Sequence, residues 1–282
     1  VLFYPTGPSK EEVACLTKAR ASEDGAALAC EAAASKGSSV AGYVVAAMNP
    51  TAPIPEAAAE FAPAKTERAL VVLRRVDTSR EDRDAAVADL RAAASEGYAP
   101  AQRWLAVTLL AGELGEDHAG EAADWLERAA LQGSADAQFL LAGMFRTGTG
   151  VTTDRQRMRD LYLEAAQRGH AAAAYNLSAD YYERGKPDDA FLWLKRSAAG
   201  GFAPAHVALA KAAKVAGPNF TFASAVHFRL AAEFTEGETR ANHSQAAEVL
   251  IAGLGQEQQR QVSDRVAELA AAIRGDGKLD TP

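Results

Sequence analysis

The chain has only two cysteines, three methionines and three tryptophans in 282 residues, and aromatic residues make up 7%. Cys15 and Cys30, with no histidine nearby, fall short of the ligand set of a tetrahedral metal site. No run approaches the roughly 18 consecutive apolar residues of a membrane-crossing helix. Positive charge is not in excess: the net charge is −7. That argues against nucleic acid as the main partner, because phosphate binding needs a basic face. Catalytic signatures are missing as well. His118, His170, His206, His227 and His243 are scattered, and none forms the paired helical spacing of a zinc hydrolase. There is no Gly-x-Ser-x-Gly elbow. Gly148-Thr149-Gly150-Val151 lacks the Lys-Ser/Thr that would make it a phosphate loop. No catalytic residue, metal or cofactor is therefore expected. Runs of Val, Ile and Thr are few. What abounds is alanine, the best helix former, which also lets helices approach closely. The composition points to an all-α protein.

The helices are organised by a repeat. Gly97-Tyr98-Ala99-Pro100-Ala101 and Gly201-Phe202-Ala203-Pro204-Ala205 are near copies, with related segments at Gly133 and Gly169. These glycines lie 36, 36 and 32 residues apart, each after a small pair: Ala93-Ala94, Ala129-Ala130, Ala165-Ala166 and Ser197-Ala198. Four positions before the last three pairs sit Trp125, Leu161 and Trp193, which the repeat phase assigns to the core. After each glycine an apolar stripe with a spacing of four begins: Ala101, Leu105, Leu109; Ala137, Leu141, Phe145; Ala173, Leu177, Tyr181; Ala205, Leu209, Ala213. That spacing keeps the residues on one helical face. Gly112, Gly148, Gly185 and Gly217 are expected to close these helices in the left-handed conformation. Each unit thus reads as helix A, a turn and helix B. One hairpin cannot bury its apolar face alone, so the hairpins must stack.

This pattern resembles the Sel-1-like repeat, a branch of the tetratricopeptide superfamily. The match is fullest over residues 137–169, through Ala137, Leu141, Phe145, Gly148-Thr149-Gly150-Val151, Asp154, Ala165-Ala166 and Gly169. The Gly-x-Gly-Val-x-x-Asp loop is its most specific element. The resemblance implies a right-handed α/α solenoid of stacked helical hairpins. Proteins similar to this family often act as adaptors in bacterial envelope signalling, regulation or assembly, and some bind cell-wall material.

The expected organisation is an N-terminal hairpin and helix start over residues 1–48 and a Pro/Ala-rich loop over 49–63. A repeat array over 64–237 follows, with capping helices and a tail over 238–282. Cys15 and Cys30 fall on opposite helices of the first hairpin at about the same height. That geometry favours a disulfide, although two buried thiols fit the same placement. A disulfide would imply a periplasmic or secreted protein, and reduced thiols a cytoplasmic one. The chain starts at Val1, which reads equally as a removed targeting segment or a shortened chain.

Helical solenoids offer a concave face lined mainly by A helices. Taking about 100° per residue, the A-helix positions turned away from the core stripe are Arg103, Phe139, Arg146, Tyr175, Tyr182, Val207, Lys211 and Lys214. This set is aromatic and basic on an acidic protein, and Tyr, Phe and Arg are enriched at interface centres. The expected function is a non-catalytic scaffold that holds an acidic or extended segment of a partner protein. The alternatives are a small-molecule or glycan-binding module and a cytosolic chaperone-like scaffold.

Overall fold

The computed structural model describes residues 61–75, 77–112 and 118–275. Cys15, Cys30, the first hairpin and nearly all of the Pro/Ala-rich stretch lie outside the described residues. Among the described residues every regular element is helical, and the chain divides into two units, Val1–Gln132 and Gly133–Pro282.

The first unit contains α1 (Ala62–Leu73), α2 (Arg80–Ser95), α3 (Ala99–Leu110) and α4 (Ala119–Leu131). Pro63 does not end a loop. It sits in the first turn of α1, where its missing N–H would have had no helical partner. The loop expected to reach residue 63 therefore gives way to helix at Ala62. Ser79 caps α2 by accepting from the Asp82 N–H at 3.0 Å. Packing runs α1 on α2, α2 on α3 and α3 on α4, around Leu90, Leu105 and Leu126. Arg91 of α2 donates to Glu121 of α4 through both terminal guanidinium nitrogens. That pairing holds the Glu121 carboxyl below its ordinary range. Trp125 is only half-buried: its Nε1–H donates to Glu121 at 3.2 Å and Arg128 lies over its ring.

The second unit contains α5 (Ala135–Thr147), α6 (Arg155–Gln167), α7 (Ala171–Glu183), α8 (Pro187–Ala199) and α9 (Ala203–Ala216). A 3₁₀ turn (Pro218–Phe220) leads to α10 (Thr221–Glu233), α11 (Gly237–Ile251) and α12 (Gln256–Gly275). Successive helices from α5 to α11 pack as antiparallel neighbours, and α12 lies on α10. The small pairs are where helices meet closely. Ser197 is fully buried and its Oγ–H donates to the Ala171 carbonyl at 2.8 Å, fixing the end of α8 to the start of α7. Ser224 likewise donates to Ala210 at 2.8 Å, joining α10 to α9.

The stripes are buried at their first two positions in every repeat, but Phe145, Tyr181 and Ala213 are only partly covered. The ends of the later A helices, at Phe145, Tyr181 and Ala213, therefore remain open. Gly148 closes α5 with φ 76°, ψ 20°, as the sequence requires. Gly217 departs from that expectation. Its φ of 118° and ψ of −178° are not the left-handed helical cap, and the chain runs straight into the 3₁₀ turn. At the far end Val226 and Leu230 of α10 pack with Val262, Val266 and Ala270 of α12. Here Gly201 (φ 76°) allows close contact, because a Cβ on it would stand 2.9 Å from Ile273 Cγ2.

Candidate functional site

Counting Ala99, Ala135, Ala171 and Ala203 as first residues, the candidate side chains occupy two rows of the A helices. Arg103, Phe139, Tyr175 and Val207 take the fifth position, and all four are half-buried. Phe139 stacks on His170 with ring centroids 4.4 Å apart, and Tyr175 tilts against Phe202 at 5.4 Å. His170 and Phe202 each precede the next A helix. This row therefore joins one repeat to the next. Arg103 lies over Trp104 at 4.2 Å.

His170 shows how the junction is built. Its Nδ1 accepts the Ala173 N–H at 3.1 Å and so caps α7. Its Nε2 faces Asp136 at 3.6 Å. Burial lowers its pKa, and the Asp136 carboxylate acts the other way. The cap needs the Nδ1 lone pair, so the ring is held as the neutral Nε2–H tautomer. His170→Ala removes both the cap and the stack. It is expected to cost about 1–3 kcal/mol, read as a lowered midpoint in chemical denaturation; an unchanged midpoint would show that the junction carries no such load.

The second row is the twelfth position: Arg146, Tyr182 and Lys214, with Lys211 one turn before Lys214. All are exposed, Tyr182 by 73%. Beside this row lies a cleft of about 310 Å³ between α5, α6 and α7. One wall carries Arg146 and Arg155, and the other Asn176, Asp180 and Glu183. Buried Tyr162 forms part of the floor. Asp180 is nearly buried, with Arg159 and Arg184 each 3.6 Å from its carboxylate. Those arginines leave Arg146 and Arg155 as the exposed cations of the cleft. Arg155, Asn176 and Glu183 were not among the residues picked from the sequence. They lie off the A-helix stripe pattern, and only the folded loop and helix pairing bring them together.

Among the described residues no group of three or more His, Cys, Asp or Glu is placed to hold a metal ion, and no helix is long and apolar enough to cross a membrane.

The antiparallel hairpins, register glycines and exposed helix ends define a helical-repeat protein. Residues 99–134, 135–170 and 171–202 each match the Sel1 repeat family model. Repeats of this family typically serve as protein-interaction scaffolds and are generally non-catalytic. Solved structures that share the fold include two Sel1-like repeat proteins. One is a protective antigen present in uropathogenic Escherichia coli strains and displaying a Sel1-like repeat fold. It is 17% identical with a TM-score of 0.68, over 91% of this chain and 60% of that one. The present chain thus spans 60% of that protein's length. The other is a Sel1 repeat protein from Oxalobacter formigenes, 18% identical with a TM-score of 0.59, over 86% of this chain and 97% of that one. No curated protein matches the chain.

Proposed function

We propose that this protein is a non-catalytic scaffold that holds an acidic, extended segment of a partner protein at the α5–α6–α7 cleft. The observation that carries this reading is that exposed Arg146 and Arg155 line one cleft with α7, the helix that also carries the exposed ring of Tyr182. Guanidinium forks bind carboxylates with two parallel hydrogen bonds, and an exposed tyrosine supplies contact area at small entropic cost. Asn176 supplies an amide able to pair with a peptide backbone. Lys211 and Lys214 continue the basic character on α9.

The test is affinity capture from the native host with the wild type and with Arg146→Glu/Arg155→Glu. Both positions are exposed, so the melting temperature should stay within about 2 °C. Partner recovery is expected to fall more than about tenfold. Undiminished recovery by a folded double variant would end this reading. Arg103→Glu is a poorer probe, since it would also break the stack on Trp104.

The reading extends to a role in bacterial envelope signalling, regulation or assembly, with the protein in an oxidising compartment, periplasmic or secreted. The spacing of Cys15 and Cys30 supports that setting. Two free thiols in the denatured native protein would favour a cytoplasmic scaffold instead. A second reading, a small-molecule or glycan module, draws on the cleft's volume, which is at the lower end of ligand pockets. Capture of an oligosaccharide in place of a protein would select it.

A further inference from the structure

The second unit holds another cavity, away from the cleft, where α8, α9, α10 and α12 meet. Its volume is about 160 Å³ and its walls are mostly carbon, from Ala199, Leu209, Leu230, Leu269 and Ile273. Phe191, itself 51% exposed, also lines it, so the cavity opens beside a solvent-facing ring.

Buried His206, half-buried His227 and Lys195 break the apolar lining. His206 occupies the fourth position of its A helix, where the first two repeats carry Gln102 and Gln138. Gln102 uses its amide to satisfy the Ala94 carbonyl at 3.1 Å, eight residues back. In the last repeat the Ala198 carbonyl, also eight residues back, interacts with the His206 ring. The imidazole has a second commitment: its Nδ1 lies 3.2 Å from His227 Nδ1 on α10. His206 is only 3% exposed, and its Nε2 is buried with no hydrogen-bond partner. A buried polar atom without a partner is costly and calls for a ligand or a water.

The tautomers fix what can satisfy it. One Nδ1 must donate to the other. If His206 Nδ1 donates, its Nε2 accepts; if His206 Nδ1 accepts, its Nε2 donates. A hydroxyl is the smallest group that serves in either case. The volume admits one ring, since an apolar cavity of about 150 Å³ accommodates benzene. We propose that this cavity is a binding site for a small neutral molecule of one ring bearing one hydroxyl, with the ring against the leucine walls and the hydroxyl on His206 Nε2. It is independent of the partner segment assigned to the cleft.

The experiment titrates the full chain with phenol and, separately, with toluene, by calorimetry and by ligand-observed NMR. Phenol should bind at one saturable site with Kd between about 0.1 and 10 mM, as suits so few atoms. Toluene should bind about tenfold more weakly, because it leaves Nε2 unpaired. Ala199→Phe, which fills the cavity from a partly exposed helix end, should abolish both while retaining the helical circular dichroism spectrum. His206→Leu should equalise the two probes. If that variant fails to fold, a shift of the His206 imidazole resonances by phenol but not by toluene reads the same contact in the wild type. No saturable binding, which would mean the cavity holds water only, overturns the proposal. So does equal affinity for the two probes in the wild type, or phenol binding that survives Ala199→Phe.

Discussion

Tyr162→Ala is expected to cost about 3–5 kcal/mol of folding stability. Tyr162 is 2% exposed and is among the largest fully buried side chains of the described residues. It stands on α6 with its ring 5.8 Å from that of Phe139 on α5, and it lines the cleft. Removing it opens a cavity where two helices of one repeat meet and where Phe139 begins the contact with His170. Urea denaturation should show the midpoint falling with little change in slope. Tyr182→Ala is the counterpart. Its ring is 73% exposed, so stability should move by less than about 0.5 kcal/mol while partner binding falls. A loss below about 1 kcal/mol for Tyr162→Ala would mean that the hairpin is not held by this packing.

Acidification should destabilise the second unit through the histidine pair. Burial pushes both His206 and His227 from 6.5 down to about 4, and for His206 the neighbouring His227 adds to the effect. The sign follows from proton uptake. Between about pH 6.5 and about pH 4 the unfolded rings are protonated and the folded ones are not, so the unfolded state binds more protons. Stability from this pair is fully present above about pH 6.5 and is lost as the pH falls toward about 4. The loss is on the order of 3 kcal/mol for each ring. Lys195 lines the same cavity, and Phe234, which stacks on His206 at 6.0 Å, carries Arg274 over its ring at 5.8 Å. The readout is the difference in pH profile between the wild type and His206→Leu/His227→Leu, since carboxylates elsewhere titrate in both. Parallel profiles would refute the prediction.

Much of the fold was legible because its signals are local. Glycines with positive φ follow each B helix at Gly97, Gly133, Gly169 and Gly201, and the alanine pairs before them are largely buried. Pro100 and Pro204 start helices in the first turn, as their missing N–H predicts. The site was less legible. A helical wheel sees one helix, so it turned Phe139 and Tyr175 outward together with Arg146 and Tyr182. Whether an outward residue meets water or the next repeat depends on His170 and Phe202, which lie some thirty residues further along. The histidine pair was invisible for the same reason. His206 and His227 are 21 residues apart and meet only because α9 packs on α10. One signal was present: His206 replaces the glutamine of Gln102 and Gln138 at a position that is buried in each repeat.

The central claim is that a partner protein lies along the exposed ends of the A helices. Photo-cross-linking tests it most directly. A benzophenone amino acid is placed at Tyr182 in the cleft-side row, or at Gln167, exposed at the end of helix α6, as the control. The account predicts a single adduct from position 182, absent from position 167 and lost when Arg146→Glu/Arg155→Glu is combined with the label. Equal cross-linking from both positions, or an adduct at 182 that survives the charge reversal, would contradict it.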